Sequence, residues 1–182
     1  MSTALRLLAL SLFATQVHAA DFTLKSNDVA PKATLSAAQI YSGFGCSGGN
    51  LSPQLSWSGA PSGTQSYAVT VYDPDAPTGS GWWHWVVIDL PTATTTLSTG
   101  AGDTAGTLLP KGSRQIRTDF GAKGYGGPCP PQGDKPHRYI FTVYALKVPK
   151  LEVPDDATAA FVGFMIHSSE LGKATFTAYY GR

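Results

Sequence analysis

Three runs of the chain alternate in side-chain character with a period of two: Ser66-Tyr67-Ala68-Val69-Thr70-Val71-Tyr72, His84-Trp85-Val86-Val87-Ile88-Asp89-Leu90 and Arg138-Tyr139-Ile140-Phe141-Thr142-Val143-Tyr144-Ala145-Leu146. Each is rich in β-branched and aromatic residues, so each is predicted to be a strand. In all three, both alternating sets are largely apolar. Strands of that kind must be covered on two faces, which demands further layers on either side of a central sheet. Weaker strand patterns lie at Phe22–Ser26, Gln54–Trp57 and Ala174–Tyr179. One good helix is predicted, capped by Asp155 or Asp156, with Phe161, Phe164, Met165 and Ser168 at i, i+3, i+4, i+7. A short helical turn around Ser36–Ile40 is the only other candidate. Glycine (20) and proline (13) make up 33 of the 182 residues, which suits many turns between short strands. With no repeat and no second compositional regime, the expectation is one mainly β domain with closed sheets rather than βαβ units.

Residues 1–20 have the pattern of a secretory leader, followed by a domain over residues 21–182. Arg6 supplies a positive start, Leu7–Ala14 an apolar run, and Val17-His18-Ala19 the small residues of a cleavage site after Ala19 or Ala20. The apolar run is too short to span a bilayer. An exported product, periplasmic or secreted and without a membrane span, is therefore expected. Lys plus Arg number 13 and Asp plus Glu 12, a balance that excludes a basic nucleic-acid binder. Cys46 and Cys129, the two cysteines, sit in Gly/Pro-rich loops. In an oxidising destination they are expected to pair, the alternative being two separate thiols. No Cys/His spacing suggests zinc, and neither a metal nor a cofactor is expected.

Some apparent motifs dissolve on inspection. Gly45-Cys46-Ser47-Gly48-Gly49 matches a hydrolase nucleophile elbow as a string, but it leads toward a strand at Gln54–Trp57 rather than a helix. His167 lies on the predicted helix, where a partly buried packing role is expected. Glu152 and Glu170 stand apart, which argues against a paired-carboxylate glycosidase.

Three segments remain. Asp73-Pro74-Asp75-Ala76-Pro77 ends a strand in a stiff turn. Trp82-Trp83-His84-Trp85 places a histidine among three indoles, suggesting a pocket wall or a tight corner. Gly124–Gly133 leads into Asp134-Lys135-Pro136-His137-Arg138-Tyr139, where strand alternation puts His137 and Tyr139 on one face and Arg138 on the other. Backbone N–H groups of Gly126, Gly127, Cys129 and Gly133 could add donors there.

In combination, these segments resemble the phosphatidylethanolamine-binding protein family. Gly43–Asn50, Trp82–Trp85 and Cys129-Pro130-Pro131 are similar to its bacterial YbhB/YbcL, or Raf-kinase-inhibitor-like, branch. The likeness runs from about Phe22 to Tyr180. It implies a β-sandwich with a large central antiparallel sheet, a smaller second sheet and one or two short helices. It also implies a small pocket for phosphate-type anions, and places Asp73, Asp75, Pro77, His84, Pro131, His137 and Tyr139 around it. The helix that borders the pocket in animal members after the last strand has no counterpart before Arg182.

The expected function is non-enzymatic binding of a phosphomonoester or phospholipid-headgroup-like anion. His84 and His137 would donate to its oxygens, Asp73 would raise the pKa of a neighbouring imidazole, and binding would be stronger at pH 6 than at pH 8. Two alternatives belong to other classes. One is a secreted inhibitor of a protease or signalling protein, acting on an unknown protein partner. The other is a hydrolase using Asp73, His84 and His137.

Overall fold

In the computed structural model, residues 21–182 are described; the predicted leader lies outside the described residues. The chain runs from β1 (Thr23–Lys25) through β2 (Ser42–Gly43) and β3 (Cys46–Ser47) to β4 (Leu55–Ser58). The long strands β5 (Ser66–Asp73) and β6 (Trp82–Pro91) follow, then β7 (Thr96–Leu97) and β8 (Arg114–Gln115). Finally come β9 (His137–Leu146), α1 (Ala159–Ser169) and β10 (Glu170–Tyr180). An antiparallel sheet of five strands has the order β10-β9-β5-β6-β8, and a sheet of three the order β1-β4-β7. The hairpin β2-β3 stands by itself. The fold is mainly β, as the alternation predicts.

Both faces of the large sheet are covered, by different layers. Val69, Val71, Trp85, Val87, Phe141 and Val143 project to one side, where Leu24, Leu55, Trp57 and Leu97 of the small sheet close over them. Ala68, Val86, Ile88, Tyr144 and Leu146 project to the other, against Leu151, Val153 and the α1 residues Val162 and Ile166. Each fully buried Leu, Val or Phe contributes roughly 1.5–3 kcal/mol relative to an exposed one, so the two-sided pattern is the main driving force for this layering.

The helix forms where it is predicted, but on a different face and with a different cap. Its buried residues are Ala159, Val162, Gly163, Ile166 and Ser169, while Phe161 and Phe164 are exposed. Gly163 faces Trp83, which packs under the helix beside Val162 and Ile166. His167 is exposed as well, with Nδ1 3.1 Å from Glu170, and is not the packing residue expected. The N-cap is Thr158, whose hydroxyl accepts from the Phe161 N–H at 3.2 Å. Thr158→Ala should therefore lower the unfolding free energy by about 1 kcal/mol, measured by urea denaturation, with no change in ligand binding.

Two β-bulges shape β6. Tyr67 pairs with Leu90 and Val69 with Val87, leaving one extra residue on β6; Asp89 there takes φ +60°. Its carboxylate accepts from Leu151 N–H at 2.8 Å and from Arg114 Nε at 2.7 Å, which holds the segment covering the sheet. Farther along, Val71 pairs with Trp85 and Tyr72 with Trp83, so His84 is a second unpaired residue.

Candidate functional site

That second bulge decides where His84 points. Without it, His84 would share the α1 face with Val86; the extra residue reverses the alternation, so Trp83 packs toward α1 while Trp85 stays in the core between the sheets. The His84 ring instead meets the edge of Tyr139, with ring centroids 5.1 Å apart. Bulges commonly re-aim one side chain in this way. Because β5 runs antiparallel to both neighbours, its last residue, Asp73, lies between the first turns of β6 and β9. Asp73, His84, His137 and Tyr139 thus converge at one end of the large sheet, all buried.

These four residues line a cavity of about 180 Å³ that also touches Pro77, Pro131, Thr78, Trp82, Phe44 and Phe120. That volume suits a phosphate group with a small substituent rather than a drug-sized ligand. Asp75 does not line it. Its carboxylate turns away to grip Arg138, accepting from Nε at 2.9 Å and from a terminal guanidinium nitrogen at 2.6 Å. This pairing holds the Asp75 carboxyl down at about 2. The two motif aspartates have split roles because each carboxylate has a different partner, His137 for Asp73 and Arg138 for Asp75.

One wall is the Gly/Pro loop, fastened on three sides. Cys129 is bridged to Cys46 of the β2-β3 hairpin. Arg182 donates from Nε to Pro130 O at 2.7 Å and from its terminal nitrogens to Gly45 O and Phe44 O. Asn50 donates to Tyr125 O at 3.2 Å and accepts from Gly127 N–H at 2.7 Å. At Gly127 a Cβ would fall 1.9 Å from Gln39 O, so only glycine permits the backbones to approach this closely. The glycine N–H groups are consequently not cavity donors. Gly126 N–H goes to His84 O at 2.8 Å, Gly127 N–H to Asn50, and Gly133 N–H to Arg182 O at 2.9 Å.

The electrostatics also depart from the sequence expectation. His84 Nδ1 lies 2.6 Å from Gly126 O, and burial pushes the imidazole pKa down to about 4 against the upward pull of that hydrogen bond and of Asp73. Desolvation outweighs the carboxylate, so His84 is neutral at pH 6 as well as at pH 8. It does not become the cationic donor expected. Tyr139 is pushed upward, again mainly by burial, and remains a phenol with a proton to donate. His137 Nδ1 donates to Asp73 Oδ2 at 2.7 Å, and its Nε2 stands 3.4 Å from Asp134 Oδ2. The other Asp73 oxygen accepts from Asp75 N–H at 2.8 Å.

Phe44 and Phe120 form an aromatic collar on the cavity that no sequence pattern singled out, and both pack against Tyr41, whose centroid lies 4.4 Å from that of Phe120. Phe44, 67% exposed, is carried there by the β2-β3 turn. Among the described residues, no group of three or more His, Cys, Asp or Glu side chains is arranged to hold a metal ion. Nor is any described helix long and apolar enough to cross a membrane.

Comparison with known proteins gives consistent matches over nearly the whole described chain. The family model for phosphatidylethanolamine-binding protein matches residues 25–181. The UPF0098 protein YbcL of Escherichia coli strain K12 is 48% identical over 180 residues, covering 99% of this chain and 98% of that relative. The UPF0098 protein YbhB of the same strain is 48% identical over 157 residues, covering 86% of this chain and 98% of that relative. The crystal structure of E. coli YbcL, described as a new member of the mammalian PEBP family, matches with a TM-score of 0.87 at 51% identity. The match covers 90% of this chain and 99% of that one.

Proposed function

The chain belongs to the phosphatidylethanolamine-binding protein family, and from that premise we propose that it binds, without turnover, a small ligand carrying a phosphate-type group in the cavity at the end of the large sheet. The observation that carries this reading is the convergence of His84, His137 and Tyr139 on one small apolar-walled cavity. Tyr139 supplies an uncharged O–H. Asp73 fixes Nδ1 of His137 as a protonated nitrogen, so Nε2 is the edge turned away from Asp73. Asp73 acts as a positioning residue: both its oxygens are already engaged, by His137 and by Asp75 N–H.

Binding without chemistry is supported by the lack of an activated nucleophile. The Thr78 hydroxyl that borders the cavity donates to Gly81 O, and Cys129 Sγ is held in its bridge. A phosphate ester in the cavity would meet donors, aromatic walls and imidazole rings, with no serine, threonine or cysteine side chain of the lining free to attack it. Export from the cytoplasm belongs to the same proposal, supported by the leader pattern over residues 1–20 and by a disulfide suited to an oxidising compartment.

The test is titration of the purified protein with inorganic phosphate and phosphoethanolamine, followed by calorimetry and by NMR of the imidazole and tyrosyl signals. Millimolar ligand should shift the His137 and Tyr139 resonances, and His137→Ala should weaken binding at least about tenfold. Silence of both residues toward both ligands would overturn the reading. Hydrolysis of a phosphoester that disappears in His137→Ala would replace binding by catalysis.

A further inference from the structure

We propose that the cavity selects oxyanions that still carry a proton, taking phosphate and phosphomonoesters in preference to sulfate and phosphodiesters. This rests on the reading that the cavity binds phosphate-type groups, and specifies which of them it accepts.

The geometry at His84 carries the inference. Its Nδ1 lies 2.6 Å from a backbone carbonyl oxygen, Gly126 O. A carbonyl oxygen can only accept, so the ring hydrogen is on Nδ1. A neutral imidazole has one N–H, which leaves Nε2 with a lone pair. Burial keeps the ring in that neutral form at ordinary pH. Among the described residues no hydrogen bond is made to Nε2, yet it is not sealed in: the buried side-chain nitrogen and oxygen atoms without a partner there are Trp57 Nε1 and Ser113 Oγ. Since His84 lines the cavity, Nε2 is an acceptor open to whatever enters it.

A fully deprotonated oxyanion offers only lone pairs to that acceptor. The cavity has little to compensate. No lysine or arginine lines it, and the N–H groups of Gly126, Gly127 and Gly133 are engaged elsewhere. The carboxylates of Asp73 and Asp119 also act on His84, and Asp134 stands beside His137. They add negative potential that disfavours a second negative charge on the ligand. An oxyanion with one O–H meets every requirement: its proton goes to His84 Nε2, and another of its oxygens accepts from Tyr139 O–H. A phosphomonoester, with a second pKa of about 6, has such a proton in mildly acidic solution. A phosphodiester, as in a membrane lipid headgroup, has none, and neither does sulfate.

The experiment is calorimetry on the purified protein at pH 5.5 with methyl phosphate, inorganic phosphate, dimethyl phosphate and sulfate. Methyl phosphate and inorganic phosphate should bind at least about tenfold more tightly than the other two. Sulfate controls for size, and dimethyl phosphate stands for the lipid diester. A second measurement needs no variant: nitrogen-15 NMR of the His84 imidazole should show the hydrogen on Nδ1 in the free protein, and Nε2 should shift on adding inorganic phosphate. Equal affinity for sulfate and phosphate, or a hydrogen on Nε2, would overturn the proton selectivity and leave phosphate binding standing. If none of the four ions binds, the underlying reading falls and this inference falls with it.

Discussion

Replacing Cys46 and Cys129 together by serine is expected to lower the free energy of unfolding by about 4 kcal/mol while leaving phosphate affinity nearly unchanged. The bridge joins residues 83 positions apart. Closing a loop of that length removes much of the entropy of the unfolded chain, and the chain-entropy relation puts the resulting stabilisation at about 4–5 kcal/mol. For a domain of this size the loss corresponds to roughly 10 °C in Tm. The cavity should survive because its wall has other fasteners. Arg182 grips Pro130 O, Asn50 spans Tyr125 O and Gly127 N–H, and Tyr125 Oη donates to Gln39 O at 3.2 Å. The effect is therefore assigned to the unfolded ensemble and not to the shape of the folded site. Urea unfolding of the double variant gives the first number and calorimetry with phosphate the second. Wild-type protein unfolded in reductant should match the variant. A variant that keeps its stability, or one whose affinity collapses along with it, would contradict this assignment.

What the sequence made legible follows from the kind of information that local periodicity holds. The three long runs became β5, β6 and β9 because period-two alternation is a property of neighbouring residues. The same rule correctly put His137 and Tyr139 on one face with Arg138 opposite. It could not place His84. Strand parity assigns that residue to the helix-covered face, and only the pairing of β6 with β5 reveals the bulge that turns it around. Asp75 illustrates a second limit. Two aspartates in one turn look equivalent as letters, yet Arg138 draws one carboxylate outward while His137 holds the other inside. The helix shows a third: two phenylalanines at helical spacing imply an apolar face, but Val162 and Ile166 pack on the sheet, with Gly163 beside Trp83. The aromatic collar was invisible for a related reason, since Phe44 and Phe120 come from loops brought together by long-range contacts. The glycine N–H groups were overcounted as donors because the partners that engage them, His84 O, Asn50 and Arg182 O, lie far away in sequence.

Acidification supplies the other large expected effect. Between pH 7 and pH 4 the domain should lose on the order of 3 kcal/mol of stability through His84 alone. In the unfolded chain this imidazole protonates near its ordinary value of 6.5; in the folded protein, burial holds it at about 4. As pH falls below 6.5 the unfolded state takes up a proton that the folded state refuses, so the equilibrium shifts toward unfolding. The loss grows until pH reaches about 4, where both states are protonated, and then levels off. Asp75 works in a separate window. Held at about 2 by Arg138, it contributes stability that is present above its ordinary 3.8 and is lost only as pH drops toward 2. Urea midpoints measured at intervals from pH 7 to pH 4 should therefore fall steadily in the wild type. They should fall less by the His84 contribution in His84→Asn, whose amide nitrogen stands where Nδ1 does and can still donate to Gly126 O. Direct NMR titration of the wild-type His84 resonances supplies an independent reading, with no protonation expected above pH 5. A midpoint unaffected by acid, or an equal slope in the variant, would mean that the ring is not held neutral by burial. The acid lability and the proton selectivity of the cavity then stand on one physical condition. An imidazole that cannot afford a second proton in the folded state is the same imidazole that asks its ligand to bring one.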